Sequence, residues 1–129
     1  MYPNIFNIRD RIWPQPPISL PLESVVQEKL PLKIMVLNNS FLGMVRQWQE
    51  MFFDRRYAQT KMNNPDFVSV AASFGLQAYC VTNMDELGSK MQAWLNEEGP
   101  SFLEVKVKKE DNVFPMVPSG ASVSQVRLN

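Results

Sequence analysis

Three short apolar runs, each closed off by residues that break regular structure, set what this chain can fold into. They are Lys33–Leu37, Gln77–Val81 and Phe102–Val107. Runs of five or six residues with β-branched centres suit strands buried on both faces of a parallel sheet. Parallel strands cannot be joined by tight hairpins and need long crossovers, usually helices. The intervening stretches supply such helices.

Leu22, Val25, Val26 and Leu30 lie near helical spacing, and Pro31 ends that segment. Met44, Val45, Trp48, Met51 and Phe52 fall at i, i+1, i+4, i+7 and i+8, an apolar stripe along a helix over 44–53. Asn64-Pro65-Asp66 reads as a helix start, with an Asn cap, Pro at the first position and an acid in the first turn. Phe67, Val70, Ala71 and Phe74 give this helix its face, and Gly75 stops it. Asn83 and Glu86 stand at capping-box spacing before Leu87, Met91, Trp94 and Leu95, and Gly99-Pro100 closes the segment. The order helix, strand, helix, helix, strand, helix, strand predicts an α/β fold: an incomplete doubly wound, mostly parallel sheet with helices on both faces. Three strands make a thin sheet for that architecture, so the chain reads as part of something larger. Cut after its first strands, such a sheet has an open apolar edge, which predicts poor solubility in isolation.

The ends differ from the middle. Five of the ten prolines lie in the first 21 residues, and Pro14-Gln15-Pro16-Pro17 excludes a helix interior or central strand there. Residues 1–20 are expected to be an extended, poorly packed leader and 21–129 the regular part, with a tail from Lys108 that lacks periodicity. Residues 1–6 show no signal peptide, and Phe67–Met84, though uncharged, is too polar to span a membrane. The expected setting is the cytoplasm, or a plastid or mitochondrial interior if the N-terminus is not native.

Composition narrows the chemistry. The 13 basic residues balance 13 acidic ones, which gives no footprint for nucleic acid, and Lys106-Val107-Lys108-Lys109 is too short to supply one. There is no histidine and one cysteine, Cys80, which excludes His-based acid–base catalysis, His-ligated zinc and an intrachain disulfide. Cys80 reads as a small buried hydrophobe on a strand, and Met84, Met91 and Trp94 as core. Asp54-Arg55-Arg56 reads as a solvated helix exit.

Ligands of open parallel sheets sit at the carboxyl ends of strands, where Asn38-Asn39 follows Leu37. Two asparagines are first of all a turn signal; their carbonyl oxygens are also hard donors suited to Mg²⁺. The amides around Leu42-Gly43, just ahead of a helix, could meet phosphate oxygens.

Pro31–Asn39, Leu42–Gln49 and Phe52–Thr60 closely resemble the large subunits of acetolactate synthase (acetohydroxyacid synthase). The likeness continues through Phe67-Val68, Ala71, Phe74-Gly75 and Gly99-Pro100 to Asn112–Pro118, covering about residues 22–120. Gly43-Met44-Val45-Arg46-Gln47-Trp48-Gln49 is the most specific segment. The resemblance implies a thiamine diphosphate-binding domain. On it, Asn39 by its side chain and Phe41 by its backbone carbonyl ligate Mg²⁺, and amides through Leu42 and Gly43 meet the diphosphate. Met44, Val45 and Trp48 line the substrate pocket. The loop from Leu42 to Tyr57 and the C-terminal tail would order over the site. The family decarboxylates pyruvate and condenses the product with a second pyruvate or 2-ketobutyrate in branched-chain amino-acid biosynthesis. It works as a homodimer with a regulatory small subunit, and its FAD sits mainly on a middle domain outside this segment.

One departure is sharp. The family pairs Asn-Asn with a Gly-Asp-Gly motif about 27 residues earlier; here that position holds Ile12, within Arg11-Ile12-Trp13, and Gly-Asp-Gly occurs nowhere. The family's catalytic Glu belongs to another domain, so no catalytic residue is assigned. The expectation is a truncated piece, inactive alone, with weak cofactor binding at best. An interaction protein that associates with full-length subunits, and one chain of a split enzyme, are the alternatives.

Overall fold

The computed structural model describes residues 5–8, 19–118 and 120–128. Four strands, β1 (Ile5–Ile8), β2 (Lys33–Asn38), β3 (Gln77–Val81) and β4 (Ser101–Lys106), form one all-parallel sheet in the order β1-β2-β4-β3. The helices are α1 (Ser19–Gln27), α2 (Gly43–Phe52), α3 (Phe67–Ser73) and α4 (Leu87–Asn96), and one 3₁₀ turn spans Val123–Gln125. The three strands expected from the sequence are present with boundaries shifted by at most one residue. β1 is an addition: four residues pair in register with β2, Ile5 opposite Lys33 and Ile8 opposite Val36. The rest of the Pro-rich leader lies outside the described residues, apart from Ser19 and Leu20, which open α1.

The steps β1→β2 and β2→β3 run one way along the sheet, and β3→β4 runs back. Right-handed crossovers therefore place α1 and α3 on one face and α4 on the other. The core divides accordingly. Leu22, Ile34, Val36, Ala71, Leu76 and Phe102 pack under α1 and α3, with Val26, Phe67 and Phe74 at their margin. Val81, Trp94 and Leu103 pack under α4, with Met35, Leu87, Met91 and Leu95 beside them. Alternation along each strand sends Ile34 and Val36 to the first face and Met35 to the second. The predicted doubly wound arrangement is thus what forms.

Lys33 enters the sheet buried on the α4 side, where its ammonium caps a helix end. Its Nζ donates to the carbonyl oxygens of Glu97 (2.6 Å) and Gly99 (3.0 Å) and to Ser101 Oγ (2.9 Å). Burial pushes its pKa down, and the Glu97 carboxylate opposes that shift.

Two local expectations are corrected, and α2 adds a separate finding. The α3 cap is Asp66, whose side chain accepts from Ser69 N (3.1 Å) and Ser69 Oγ (2.7 Å). Asn64 is instead engaged with Asn38. Met84, expected in the core, is 79 % exposed in the turn ahead of α4. That turn is held by Asn83 and Glu86, which exchange backbone and side-chain bonds across it. On α2 the apolar stripe is not the buried face: Arg46 and Gln47 are buried, whereas Met44 and Phe52 are exposed. No α2 residue belongs to either core cluster.

Candidate functional site

β2 ends at Asn38, whose carbonyl accepts from Val107 N at 3.0 Å and so ties the ends of β2 and β4. Asn38 is buried, and its amide is used at both ends. Nδ2 donates to Glu104 Oε1 (2.6 Å), and Oδ1 accepts from Ser40 N (2.9 Å), Ser40 Oγ (3.3 Å) and Asn64 Nδ2 (2.9 Å). Ser40 stands at φ +58°, a left-handed conformation that is costly for a residue with a Cβ. The Asn38 side chain compensates by closing an Asx turn onto its amide. A second Asx turn overlaps it, because Asn39 Oδ1 accepts from Phe41 N at 2.9 Å.

The chain then meets residues 60–62 as a short antiparallel bridge. Leu42 N donates to Thr60 O (2.8 Å), and Met62 N donates to Ser40 O (2.9 Å). α2 opens immediately afterwards at Gly43; its N-cap residue, Leu42, makes no side-chain cap. Asn39, Phe41, Leu42 and Gly43 thus form one continuous turn at the carboxyl end of β2, leading into a helix N-terminus. Met44, Val45 and Trp48 follow on the partly open side of α2, with the Trp48 ring edge-on to Phe52 at 5.5 Å.

Polar clasps hold α2 in place. The Arg46 guanidinium lies over the Tyr57 ring (4.7 Å) and the Phe41 ring (5.8 Å) and donates to Lys109 O (3.0 Å) and Glu50 Oε2 (3.1 Å). Gln47 pairs with the tail as a strand would, Nε2 donating to Val113 O and Oε1 accepting from Val113 N, both at 3.0 Å. Gln49 does the same with Ala58, both bonds at 2.9 Å. Asp54, Arg55 and Gln59 all have positive φ in the loop between them. Asp54, Arg55 and Arg56 are exposed, as a solvated helix exit should be.

Beneath the turn lies a carboxylate that the sequence reading did not single out. Glu104 is 2 % exposed on the central strand β4. Besides Asn38 it accepts from Lys106 Nζ (3.0 Å) and the Cys80 thiol (3.6 Å). Burial, then the nearby Glu104 charge, pushes the Cys80 thiol up. The bond to Glu104 pushes the half-exposed Lys106 up. A signal for Glu104 was present in the sequence, an acid inside an apolar strand run, whereas its place opposite Val36 of β2 comes only from the sheet.

The donor set fits a diphosphate and its cation in part. Asn39 Oδ1 and the Phe41 carbonyl are hard oxygen donors, and the α2 N-terminus offers backbone amides and the positive end of a dipole. Both oxygens are neutral, and among the described residues no cluster of three or more His, Cys, Asp or Glu side chains is placed to hold a metal.

Residues 19–105 match the family described as thiamine pyrophosphate enzyme, C-terminal TPP binding domain. The chain belongs to that family of thiamine diphosphate enzymes, through this domain. Within the class it is similar to acetolactate synthase large subunits. It is 43 % identical to the isozyme 2 large subunit of Escherichia coli (strain K12) over 106 residues, 81 % of this chain and 19 % of that protein. Likeness to the mitochondrial acetolactate synthase of Schizosaccharomyces pombe is 40 % over 108 residues, 84 % of this chain and 16 % of that one. The mitochondrial catalytic subunit of Saccharomyces cerevisiae is 41 % identical over 104 residues, 81 % and 15 % of the respective chains. The chain therefore spans less than a fifth of the length of these relatives. No helix among the described residues is long and apolar enough to cross a membrane.

Proposed function

We propose that residues 21–129 are the C-terminal part of a thiamine diphosphate-binding domain of the acetolactate synthase type. Their contribution is the Asn38–Gly43 turn, facing Mg²⁺ and the cofactor's diphosphate. The observation that carries this reading is the pair of overlapping Asx turns at the carboxyl end of β2, which deliver the chain into α2 with no side-chain cap from Leu42. Asn39 and the Phe41 carbonyl would take the cation, and the amides of the first turn of α2 the diphosphate; the Leu42 amide, expected to join them, is instead donated to Thr60 O at 2.8 Å. When bound, the cofactor supplies an electron sink for decarboxylating pyruvate and joining the product to a second pyruvate or 2-ketobutyrate. Met44, Val45 and Trp48 would shape the substrate side, consistent with an apolar stripe left partly open rather than packed into either core.

The chain on its own is expected to be inactive. Its oxygen donors at the turn are neutral, whereas Mg²⁺ in phosphate sites is ordinarily held by one or two carboxylates together with the phosphate oxygens. FAD would bind elsewhere in an intact enzyme, and the homodimer contacts and the regulatory small subunit belong to that assembly. The mitochondrial enzymes among the relatives make an organelle interior as acceptable a setting as the cytoplasm. The second reading is a split-enzyme chain or a non-catalytic partner of full-length subunits. It draws on β1 and β3, the sheet's outer strands, each pairing with one neighbour among the described strands.

Calorimetric titration of the chain with thiamine diphosphate and Mg²⁺ tests the assignment. Saturable, Mg²⁺-dependent binding that Asn39→Ala abolishes is the expected result for a working half-site. Binding that Asn39→Ala leaves intact refutes the assigned turn. A folded chain that binds nothing shifts the reading to the non-catalytic partner.

A further inference from the structure

A buried carboxylate on a central strand is expensive to keep unless its partners need it. Glu104 is such a group: besides the ion pair with Lys106 and the contact with the Cys80 thiol, it reaches through Asn38 to the turn above. As a carboxylate, Glu104 can only accept, so it fixes Nδ2 as the end of the Asn38 amide that faces down. Oδ1 is thereby forced upward, where it accepts from the Ser40 amide and from Asn64 Nδ2 at the approach to α3. Ser40 is the residue held at φ +58°, and Asn39 and Phe41 flank it. Turning the Asn38 amide over would put an N–H against the Ser40 N–H and remove the acceptor that compensates for that backbone conformation.

We infer that Glu104 is a positioning residue for the cofactor-facing turn, acting through Asn38 to set the geometry of Ser40 and hence of the Asn39 side chain and the Phe41 carbonyl. The inference rests on the proposed role of that turn, but the hydrogen-bond relay can be tested without any cofactor. Partners that orient first-sphere ligands commonly alter metal affinity about 10- to 100-fold when removed. Lys106, which forms an ion pair with Glu104, is 48 % exposed at its side chain, so removing the carboxylate does not strand a buried cation.

The test uses the full chain and two variants, Glu104→Leu, which has no acceptor, and Glu104→Gln, which keeps one. Three readouts are taken: the melting temperature, the Asn38 side-chain NH₂ resonances, and hydrogen exchange of the Ser40 amide. In Glu104→Leu, Ser40 should lose at least about tenfold protection, the scale of one hydrogen bond to a charged group, and the Asn38 NH₂ signals should move upfield, with the fold retained. In Glu104→Gln, where one hydrogen bond replaces another, Ser40 protection should fall less than about threefold. Where the wild-type chain binds Mg²⁺ and thiamine diphosphate, Glu104→Leu should weaken that binding about 10- to 100-fold, with Glu104→Gln close to wild type. Unchanged Ser40 protection in a folded Glu104→Leu chain overturns the relay, as does unchanged cofactor affinity. A wild-type chain that binds no cofactor, yet loses Ser40 protection in Glu104→Leu, leaves the relay standing and removes the cofactor reading instead. If Glu104→Leu does not fold, Glu104→Gln decides. Its neutral acceptor must shift the Asn38 NH₂ signals while sparing Ser40, and an unmoved signal refutes the relay.

Discussion

Replacing Gln47 by alanine tests whether α2 and the tail form a unit separate from the core. The Gln47 side chain is 2 % exposed and makes two bonds to the backbone of Val113, each 3.0 Å. A neutral hydrogen bond contributes about 1 kcal/mol net, so the pair contributes about 2 kcal/mol. That corresponds to roughly a 30-fold change in an opening equilibrium. Gln49 makes the same two bonds to Ala58 with equal geometry, but in an exposed setting where water replaces them. Native-state hydrogen exchange followed by NMR reads both clasps. The Val113 amide should lose about 30-fold protection in Gln47→Ala. The Ala58 amide should lose less than about fivefold in Gln49→Ala. Because neither α2 nor the tail belongs to a core cluster, the melting temperature of Gln47→Ala should stay nearly unchanged. Cleavage by trypsin after Lys108 or Lys109 should become faster. If the clasp were part of the cooperative core, its loss would lower Tm by roughly 10 °C. A drop of that size, or equal effects in the two variants, refutes the reasoning.

Other consequences are as specific. The Glu86 carboxylate, bonded to Lys90 and to the Thr82 amide and hydroxyl, is held down at about 2 against an ordinary 4.5. Its folded pKa lies below the unfolded one, so its contribution is complete above about 4.5 and is lost as pH falls to about 2. The Thr82 amide resonance should track that loss and stop doing so in Glu86→Gln; a titration that persists in the variant belongs to another group. Trp94 is fully buried under the sheet, and Trp94→Ala should cost about 3–5 kcal/mol in denaturant unfolding. Among the described residues its Nε1 has no hydrogen-bond partner, so Trp94→Phe should cost less than half as much. Equal costs would show that the indole N–H is satisfied after all.

The sheet was legible because β strands buried on both faces leave a plain mark, an apolar run between breakers. Pro31, Gly75 and Gly99-Pro100 marked the ends closely enough to place β2, β3 and β4. The four residues of β1 carry too short a pattern, and only pairing with β2 makes them a strand. α2 shows the limit of periodicity. The stripe from Met44 to Phe52 tells which residues are apolar, not what they face. Arg46 and Gln47 are buried by aromatic rings in the turn and loop and by tail carbonyls more than 60 residues away. The place of the candidate site, at the end of β2, followed from the pattern, whereas the roles of Asn39, Phe41, Leu42 and Gly43 came from resemblance alone. Glu104 escaped notice because its partner Asn38 is 66 residues distant, and only the register of β2 on β4 brings the two together.

The strand order also has a consequence in time. β3, α4 and β4 are consecutive and can associate as one local unit, but β2 must add to the far side of β4. That pairing joins Lys33 to Ser101 across 68 positions. Contacts between distant residues close slowly, since the loop entropy is lost before the strand bonds are gained. A chain emerging from the ribosome therefore carries β2, with β1 its only earlier-made neighbour among the described strands, for some 70 residues before β4 exists. During that interval the edge of β2 that will meet β4 is unpaired, and it is then that this protein is most open to wrong partners.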